Sequence, residues 1–306
     1  MSAVSHALVI DGQLVSTDKS GPLVPWWSFS KTVLAATALT LVRDGLVSLD
    51  EVMPGGTFTL RQLLRHEAGL ADYGELADYH AAVARGDQPW PANEMLERLD
   101  ATRLRYQPGV GWGYSNVGYL YIARLIETLT DTPLAQAIEQ RVLQPLDVPG
   151  VRLAKTAADL RGVDMGSAAA YHPGWVYHGL LVGRVSDAAL LLDRLLGTSL
   201  LPEMLRAAMQ ARRVLGRPLA GRPWLVAGYA LGLMQGDVEG GLTLGGHTGC
   251  GPGSVIVVYR CVTAAGTATC AVFGKDASEG DVEAEMVALV RRGLLGDRTV
   301  AICCDS

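Results

Sequence analysis

Residues 27–45 read WSFSKTVLAATALTLVRDG, and this stretch decides how the surrounding chain is expected to fold. The apolar positions after Lys31 predict a helix over residues 28–44. Gly45 follows at the point where a helix end often needs a left-handed residue. Ser28 is therefore expected at or just before the first turn of a helix, with Lys31 on the same face.

The spacing of Ser28 and Lys31 places a hydroxyl and an amine within reach of each other, as in an activated nucleophile. A serine attacks only when a base takes its proton, and lysine serves as that base only if its pKa falls well below about 10.4. A helix N-terminus also favours negative charge that develops on the hydroxyl. The same spacing fits a helix cap beside a solvated lysine, so the pair alone leaves both interpretations open.

A second motif, Tyr114-Ser115-Asn116, follows a loop that contains proline and glycine and precedes a predicted helix. A phenol can relay a proton, and an amide can bind a substrate carbonyl or hold a lysine. Tyr114 and Asn116 are therefore candidate site residues. By itself the tripeptide also fits a helix cap next to a packed tyrosine.

A third motif, His247-Thr248-Gly249, ends a strand that is flanked by glycines. Small residues there allow a substrate to lie against the backbone of the strand. We expect the backbone N–H of Cys250 to complete an oxyanion hole with the N–H of Ser28. The alternative for the triplet alone is a glycine-rich strand end with an exposed histidine.

The hydrophobic pattern divides the chain into three parts. Residues 6–15, with Asp11-Gly12 as the turn, predict a hairpin of two strands. The middle predicts helices over 60–66, 92–99, 118–128, 133–142 and 186–196. The last third predicts antiparallel strands over 226–235, 241–246, 253–259 and 267–273, and then a helix over 281–294.

These elements predict an α/β plus α fold. In it, residues 1–45 and 222–306 form an antiparallel sheet flanked by helices, and residues 46–221 form an inserted all-helical domain. The catalytic candidates come from both parts. The site is therefore expected in the cleft between the two domains.

Composition excludes several classes of partner. The 306 residues are 49% hydrophobic and 19% charged, and the net charge of −5 comes without a run of Lys or Arg. We therefore expect a small-molecule substrate, and neither nucleic acid nor a membrane as partner. The N-terminal residues lack the pattern of an export signal, which predicts a cytoplasmic location. The pattern does not predict an oligomeric state.

The five cysteines are Cys250, Cys261, Cys270, Cys303 and Cys304. Their number is odd and their spacing does not match paired metal ligands, so reduced thiols are expected. His172 and His178 also lack the spacing of a metal pair. The sequence therefore predicts neither a metal nor an organic cofactor.

The order of the three motifs resembles that of the penicillin-recognising serine hydrolases, the superfamily of serine β-lactamase-like and penicillin-binding-protein-like enzymes. The chain is most similar to the class C β-lactamase and family VIII esterase branch. The similarity lies in residues 27–32, 45–50, 60–66, 107–109, 114–119 and 246–249. The resemblance implies that Ser28 forms the acyl-enzyme, that Lys31 and Tyr114 share the proton transfers, and that Asn116 orients Lys31 or the substrate.

The chain departs from the lactamases of this superfamily at His247, where lysine is usual. A fixed positive charge suits the carboxylate of a penicillin, and a neutral histidine weakens that preference. Histidine also occurs there in some peptidases and esterases that look like this branch. Together with the absence of an export pattern, the departure favours an esterase or amidase.

The resemblance also places four side chains near the cleft, where they are expected to shape an apolar acyl or alcohol pocket, or else simply pack: Trp112, Trp175, Tyr177 and His178. The expected function is a serine hydrolase that cleaves small carboxylic esters or amides. The alternatives are a β-lactamase or D-amino-acid peptidase of the same fold, and a catalytically silent ligand-binding domain.

Overall fold

A computed structural model describes residues 4–17, 21–53, 56–168, 170–216 and 218–300 of the chain. The strands are β1 (Val4–Ile10), β2 (Gln13–Thr17), β3 (Val24–Pro25), β4 (Arg152–Ala154), β5 (Leu180–Gly183), β6 (Arg213–Gly216), β7 (Trp224–Tyr229), β8 (Met234–Val238), β9 (Leu242–Gly251), β10 (Ser254–Thr263) and β11 (Gly266–Lys275). The α-helices are α1 (Ser30–Arg43), α2 (Leu60–Leu64), α3 (Ala77–Arg85), α4 (Ala92–Arg98), α5 (Asn116–Thr130), α6 (Leu134–Ile138), α7 (Val185–Gly197), α8 (Glu203–Gln210) and α9 (Glu279–Val300). A π-helical turn, Glu139–Leu143, follows α6.

Eight strands form one antiparallel sheet in the order β2-β1-β11-β10-β9-β8-β7-β6. The predicted N-terminal hairpin is β1 and β2, and β1 pairs with β11 near the other end of the chain. The two ends of the chain therefore build one layer. The predicted antiparallel sheet with flanking helices is confirmed.

The sheet has a hydrophobic core on each face, and β10 contributes to both. Val255 and Val257 pack with α9 on one face, and Ile256 and Val258 pack with α1 and α7 on the other. This division follows from the period of two in a strand, because successive side chains point to opposite faces. A strand that is buried on both faces shows a continuous apolar run instead of alternation.

The helix predicted over residues 28–44 is α1, preceded by a short 3₁₀ turn at Trp27–Phe29. Nearly every side chain of α1 is buried, since the sheet lies on one side of it and α5 and α6 on the other. Its polar residues are therefore buried as well. This position brings the start of α1 to the middle of the molecule.

The inserted all-helical domain is not confirmed, because residues 46–221 also contain strands. β4 and β5 form a second sheet with β3, in the order β3-β5-β4, and β6 is one of the two edge strands of the large sheet. Strands of three or four residues are too short to show a clear period in the sequence. α7, which also lies within 46–221, packs on β1 and β11. The boundaries at 45/46 and 221/222 stay predictions.

The single strand predicted over residues 226–235 is two strands, β7 and β8, joined by a tight turn. The N–H of Ala230 donates to the carbonyl of Leu233 at 2.8 Å. The turn is apolar and buried, and Thr32 Oγ1 of α1 donates to the carbonyl of Gly232 within it. A buried turn lacks the polar residues by which turns are recognised in a sequence. The apolar pattern of a strand therefore continues through this turn, and the sequence predicts one strand instead of two.

No helix among the described residues is long and apolar enough to cross a membrane. The cytoplasmic location stays a prediction. Cys250, Cys261 and Cys270 are free thiols. Cys303 and Cys304 lie outside the described residues.

Candidate active site

Ser28 lies on the short turn just before α1, in a backbone segment that long-range contacts hold in place. The preceding residue, Trp27, has a φ of +41°, which a residue with a side chain rarely adopts. Such a conformation costs about 1–3 kcal/mol and persists only when the surroundings impose it. Trp27 Nε1 donates to Ser254 Oγ at 3.0 Å, and its ring meets that of Tyr171 edge-on. The β10 strand therefore fixes the turn that presents Ser28.

The three predicted catalytic side chains meet at the hydroxyl of Ser28. Lys31 Nζ donates to Ser28 Oγ at 3.0 Å, and Tyr114 OH donates to the same oxygen at 2.9 Å. Lys31 comes from the same helical start, whereas Tyr114 comes from the loop before α5. The structure thus brings together residues that are 86 positions apart in the chain.

Lys31 is completely buried, and its surroundings change its acidity. Burial lowers the pKa of Lys31 to about 7, although the negative charge of Asp72 raises it in part. The Nζ atom also lies 5.1 Å from the ring centre of Tyr114. Burial raises the pKa of Tyr114, so its phenol stays protonated at neutral pH. The site therefore holds an amine that can lose its proton and a phenol that keeps its own.

Asp72 is a residue that sequence reasoning missed. Its carboxylate accepts hydrogen bonds from the backbone N–H of Asn116 at 2.9 Å and from Asn116 Nδ2 at 3.0 Å. Burial raises the pKa of Asp72, and these bonds to Asn116 oppose the change. A single Asp in the segment after α2 gives no signal in the sequence. Asn116 is thus bonded to Asp72, and its predicted role toward Lys31 or the substrate stays a prediction.

His66 packs against Tyr114. Its Nδ1 accepts the backbone N–H of Ser115 at 3.1 Å, and its ring lies 4.4 Å from that of Tyr114 and 4.6 Å from that of Tyr229. The side chain is 2% exposed. These contacts fit a structural role for His66.

The strand β9 passes directly against the turn that carries Ser28. A Cβ atom on Gly249 would lie 2.5 Å from the carbonyl oxygen of Trp26 and 3.0 Å from the backbone nitrogen of Ser28. Only glycine allows so close an approach. The approach brings Cys250, the next residue of β9, to the edge of the cavities beside Ser28.

His247 is buried, not exposed, and both of its ring nitrogens are engaged. Nδ1 lies 2.7 Å from the carbonyl oxygen of Thr248, which can only accept, so Nδ1 carries the proton. Nε2 then accepts from Tyr229 OH at 3.0 Å. Burial and the nearby Lys31 charge lower the pKa of His247 to about 3. The imidazole is therefore neutral at physiological pH.

Thr248 contacts a cluster of charged side chains that the sequence did not predict. Its hydroxyl donates to Glu283 at 2.5 Å, and Glu283 is fully buried. Arg222 Nε donates to the same carboxylate at 2.8 Å, and Trp224 Nε1 donates to it at 3.0 Å. A second carboxylate, that of Glu279, accepts from Arg222 Nη1 at 2.8 Å. We call these residues the Arg222 cluster.

Two cavities meet at Ser28, and both are also bordered by Asn116 and Cys250. The larger cavity, of about 770 Å³, extends past Trp112, Tyr114, Tyr229, His247 and Thr248 to the Arg222 cluster. The smaller cavity, of about 350 Å³, is lined mainly by aromatic and apolar side chains: Trp27, Tyr73, Tyr79, Val83, Tyr171 and Val176. The nucleophile candidate therefore has open space on two sides.

Of the four predicted pocket residues, two border a cavity at Ser28 and two do not. Trp112 borders the larger cavity, and His178 borders the smaller one. Trp175 is 1% exposed and packs on Trp90, with Nε1 donating to the carbonyl of Asp87 at 3.2 Å. Tyr177 borders a different cavity. Neither Trp175 nor Tyr177 is therefore among the described residues that line the two cavities at Ser28.

In the part of the chain that the structure describes, no group of three or more His, Cys, Asp and Glu side chains is placed to hold a metal ion. That no metal or cofactor is used stays a prediction.

Known proteins resemble this chain in both sequence and fold. It is 27% identical over 150 residues to a lovastatin esterase of Penicillium rubens, a match that covers 40% of this chain and 37% of the esterase. It is 28% identical over 123 residues to a D-aminopeptidase of Gluconobacter oxydans, covering 40% of this chain and 22% of the peptidase. The chain thus spans well under half the length of these relatives.

Among solved structures, the D-amino acid amidase of Ochrobactrum anthropi SV3 is similar with a TM-score of 0.76. The similarity covers 96% of this chain and 95% of the amidase at 22% identity, which is evidence for a common fold. Residues 4–288 match the model of the Beta-lactamase family. The predicted resemblance is therefore confirmed, and the chain belongs to the Beta-lactamase family.

Proposed function

We propose that this protein is a serine hydrolase that cleaves small carboxylic esters or amides through an acyl-enzyme on Ser28. The observation that carries the proposal is the hydroxyl of Ser28, which lies 3.0 Å from Lys31 Nζ and 2.9 Å from Tyr114 OH where two cavities meet. A cavity on each side of a nucleophile gives room for the acyl part and the leaving part of one substrate. The names of the esterase and aminopeptidase relatives support the same reaction class.

In the proposed acylation step, Lys31 is the general base. With a pKa of about 7, a large fraction of its amine is unprotonated at neutral pH. Nζ takes the proton of Ser28 while Oγ forms a bond to the substrate carbonyl carbon. The oxyanion then accepts hydrogen bonds from the backbone N–H groups of Ser28 and Cys250.

In the proposed collapse of the intermediate, Tyr114 is the proton donor. Its raised pKa keeps the phenol protonated, so it gives a proton to the leaving oxygen or nitrogen as that bond breaks. The ammonium of Lys31 returns a proton to Tyr114. Water then attacks the acyl carbon while Lys31 takes a proton from it. The bond from that carbon to Ser28 Oγ breaks, Oγ takes the proton back from Lys31, and the carboxylic acid leaves.

The larger cavity favours substrates that lack a carboxylate. The imidazole of His247 is neutral and both of its nitrogens are engaged. Arg213 donates to Glu67 at 3.2 Å, and Arg222 donates to both carboxylates of its cluster. Among the described residues that line this cavity, each arginine is thus already paired with an acidic side chain. We therefore expect neutral esters or amides to be better substrates than penicillins.

The test is turnover of a substrate panel: p-nitrophenyl acetate and butyrate, D-phenylalanine amide, and the lactam nitrocefin. We expect ester or amide hydrolysis with a higher kcat/KM than that for nitrocefin. The activity should rise with pH through about 7, because Lys31 must lose its proton to act as the base. Intact-mass analysis with a phosphonate should show one adduct, which is lost in Ser28→Ala.

The outcomes separate the alternatives. Faster turnover of nitrocefin than of every ester and amide would indicate a β-lactamase. Binding of the phosphonate or of substrates without any turnover would indicate a catalytically silent domain. An adduct that persists in Ser28→Ala would place the nucleophile elsewhere. Activity that a chelator abolishes and zinc restores would contradict a reaction carried by these side chains alone.

A further inference from the structure

Lys31 makes a second buried contact, which the acylation step above does not use. Its Nζ lies 2.8 Å from His178 Nε2, and the two side chains are 0% and 2% exposed. We propose that His178 is a positioning residue for Lys31, whose Nε2 accepts a hydrogen bond from Nζ and thereby turns the free lone pair of the amine toward Ser28. The proposal rests on the proposed function, because it gives Lys31 the role of the base.

The backbone holds His178 in register with the turn that carries Ser28. Two hydrogen bonds tie Leu181, three residues after His178, to the segment around Ser28. Its N–H donates to Ser30 Oγ at 3.0 Å, and its carbonyl accepts the N–H of Trp26 at 2.8 Å. The nucleophile candidate and His178 therefore belong to one hydrogen-bonded unit, and the three-stranded sheet β3-β5-β4 is the element that joins them.

The number of hydrogens on the amine of Lys31 explains the effect of its contact with His178. A neutral amine has two hydrogens and one lone pair. If Nε2 of His178 accepts one hydrogen, the lone pair of Nζ is free to face Ser28 Oγ. If Nε2 instead carried a proton, it would donate into that lone pair and compete with Ser28 for it. The accepting form of His178 is thus the productive one.

The ammonium form of Lys31 requires this accepting form, because an ammonium can only donate and its Nζ lies 2.8 Å from Nε2. The N–H of the next residue, Gly179, donates to the carbonyl of Val176 at 2.7 Å, so it is not available to Nδ1. Nδ1, which is buried and has no hydrogen-bond partner among the described residues, then carries the ring proton. Burial, and next the charge of Lys31, lower the pKa of His178 well below its usual value. The ring therefore stays neutral while Lys31 gains and loses its proton.

Several other titratable groups act on Lys31 from the elements around it. They are Asp72 and His66 from the segments after α2, Tyr114 from the loop before α5, Tyr119 from α5, and His247 from β9. Of these, Asp72 is the carboxyl group, and its negative charge raises the pKa of Lys31. The contact with His178 therefore supplies a neutral acceptor in a mostly neutral surrounding.

The test measures the titration of Lys31 directly. The chain contains four lysines, so ¹³Cε-labelled lysine gives few NMR signals, and the signal that disappears in Lys31→Met assigns Lys31. His178→Leu removes the acceptor, and His178→Gln keeps one at a similar reach. His6→Leu is the matched control, because His6 contacts Ser16 in the β1–β2 hairpin and borders neither cavity at Ser28.

In His178→Leu we expect the pKa of Lys31 to fall, because the ammonium loses its acceptor. The acid limb of kcat/KM should move to lower pH with it, and kcat should fall about 10- to 100-fold with a smaller change in KM. His178→Gln should restore most of both quantities, and His6→Leu should change neither. If His178→Leu does not fold, His178→Asn, whose side chain is too short to place the acceptor, replaces it.

An unchanged titration of Lys31 in His178→Leu would overturn the proposal. Equal losses in His178→Leu and His178→Gln, with the wild-type titration in both, would also overturn it, since they would show that His178 only fills space. If the titration shifts as expected while the wild-type protein hydrolyses no ester, amide or lactam, the proposed function fails and the positioning role stands.

Discussion

Two cations near β9, one buried and one half-buried, have opposite surroundings. Lys31 is fully buried against a hydroxyl and an imidazole, and burial lowers its pKa to about 7. Arg222 is 16% exposed and contacts the carboxylates of Glu283 and Glu279. Burial is the largest single influence on the pKa of Arg222 and lowers it, but the hydrogen bond and charge of Glu283 and the charge of Glu279 add to outweigh burial, and the pKa is raised.

The difference shows that the burial of a positive charge, which is unfavourable, leads to two different roles. A buried cation without a carboxylate in contact is destabilised, so it gives up its proton and becomes a base. A buried cation that meets carboxylates keeps its proton and becomes a fixed part of the structure. Lys31 thus fits a chemical role. The Arg222 cluster fits the role of holding Thr248 and Trp224 in place.

The largest expected effect comes from removing the unpaired cation. Lys31→Met should lower kcat for an ester substrate by about 10³- to 10⁴-fold, because Ser28 loses the base that takes its proton. Lys31→Arg should lose as much, since a guanidinium does not give up its proton in a protein. The matched control is Lys155→Met on the exposed surface. Steady-state kinetics that retain more than a tenth of kcat in Lys31→Met would contradict the role of Lys31.

A second experiment removes the main carboxylate partner of Arg222. Glu283→Gln should lower the free energy of unfolding by about 3 kcal/mol, because it removes the fully buried carboxylate that is the main partner of the half-buried Arg222. Urea unfolding followed by tryptophan fluorescence measures this. Glu285→Gln on the same helix is the control, because Glu285 pairs with Arg292 at the exposed surface and should change stability by at most about 1 kcal/mol. Equal losses in the two variants would remove the distinction between the cluster and an ordinary surface pair.

The smallest expected effect comes from adding a cation that has no carboxylate partner. His247→Lys should raise the ratio of kcat/KM for a carboxylated substrate to that for a neutral one by about tenfold, because a charge-assisted hydrogen bond is stronger than a neutral one. His247→Gln, which stays neutral, is the control. A ratio that does not change, or a wild-type protein that already hydrolyses penicillins faster than simple esters, would show that His247 does not set the preference.

The sequence predicted the parts of the fold that local patterns specify. The N-terminal hairpin, α1 and the final helix are such elements, because turn residues and a helical period act over neighbouring positions. It did not predict the small sheet β3-β5-β4 or the turn between β7 and β8. Those depend on which distant segment covers a short piece of chain.

The sequence likewise predicted some residues of the candidate site and misplaced others. Ser28, Lys31 and Tyr114 were predicted from motifs, and their side chains meet. Trp175 and Tyr177 were expected at the cleft, yet they border neither cavity at Ser28 in the described part of the chain. An aromatic side chain in a loop packs wherever the loop returns, and its sequence position does not indicate where that is.

The sequence by itself determined that a serine and a lysine lie three residues apart at the start of a helix, since that relation follows from helical geometry alone. Only the tertiary structure decided that Lys31 loses contact with water and meets His178, that Asp72 acts on it through its charge, and that His247 has no free nitrogen. The physical reason is that a pKa depends on burial and on neighbouring charges. Those neighbours come from distant segments, as His178 lies 147 residues from Lys31 in the chain.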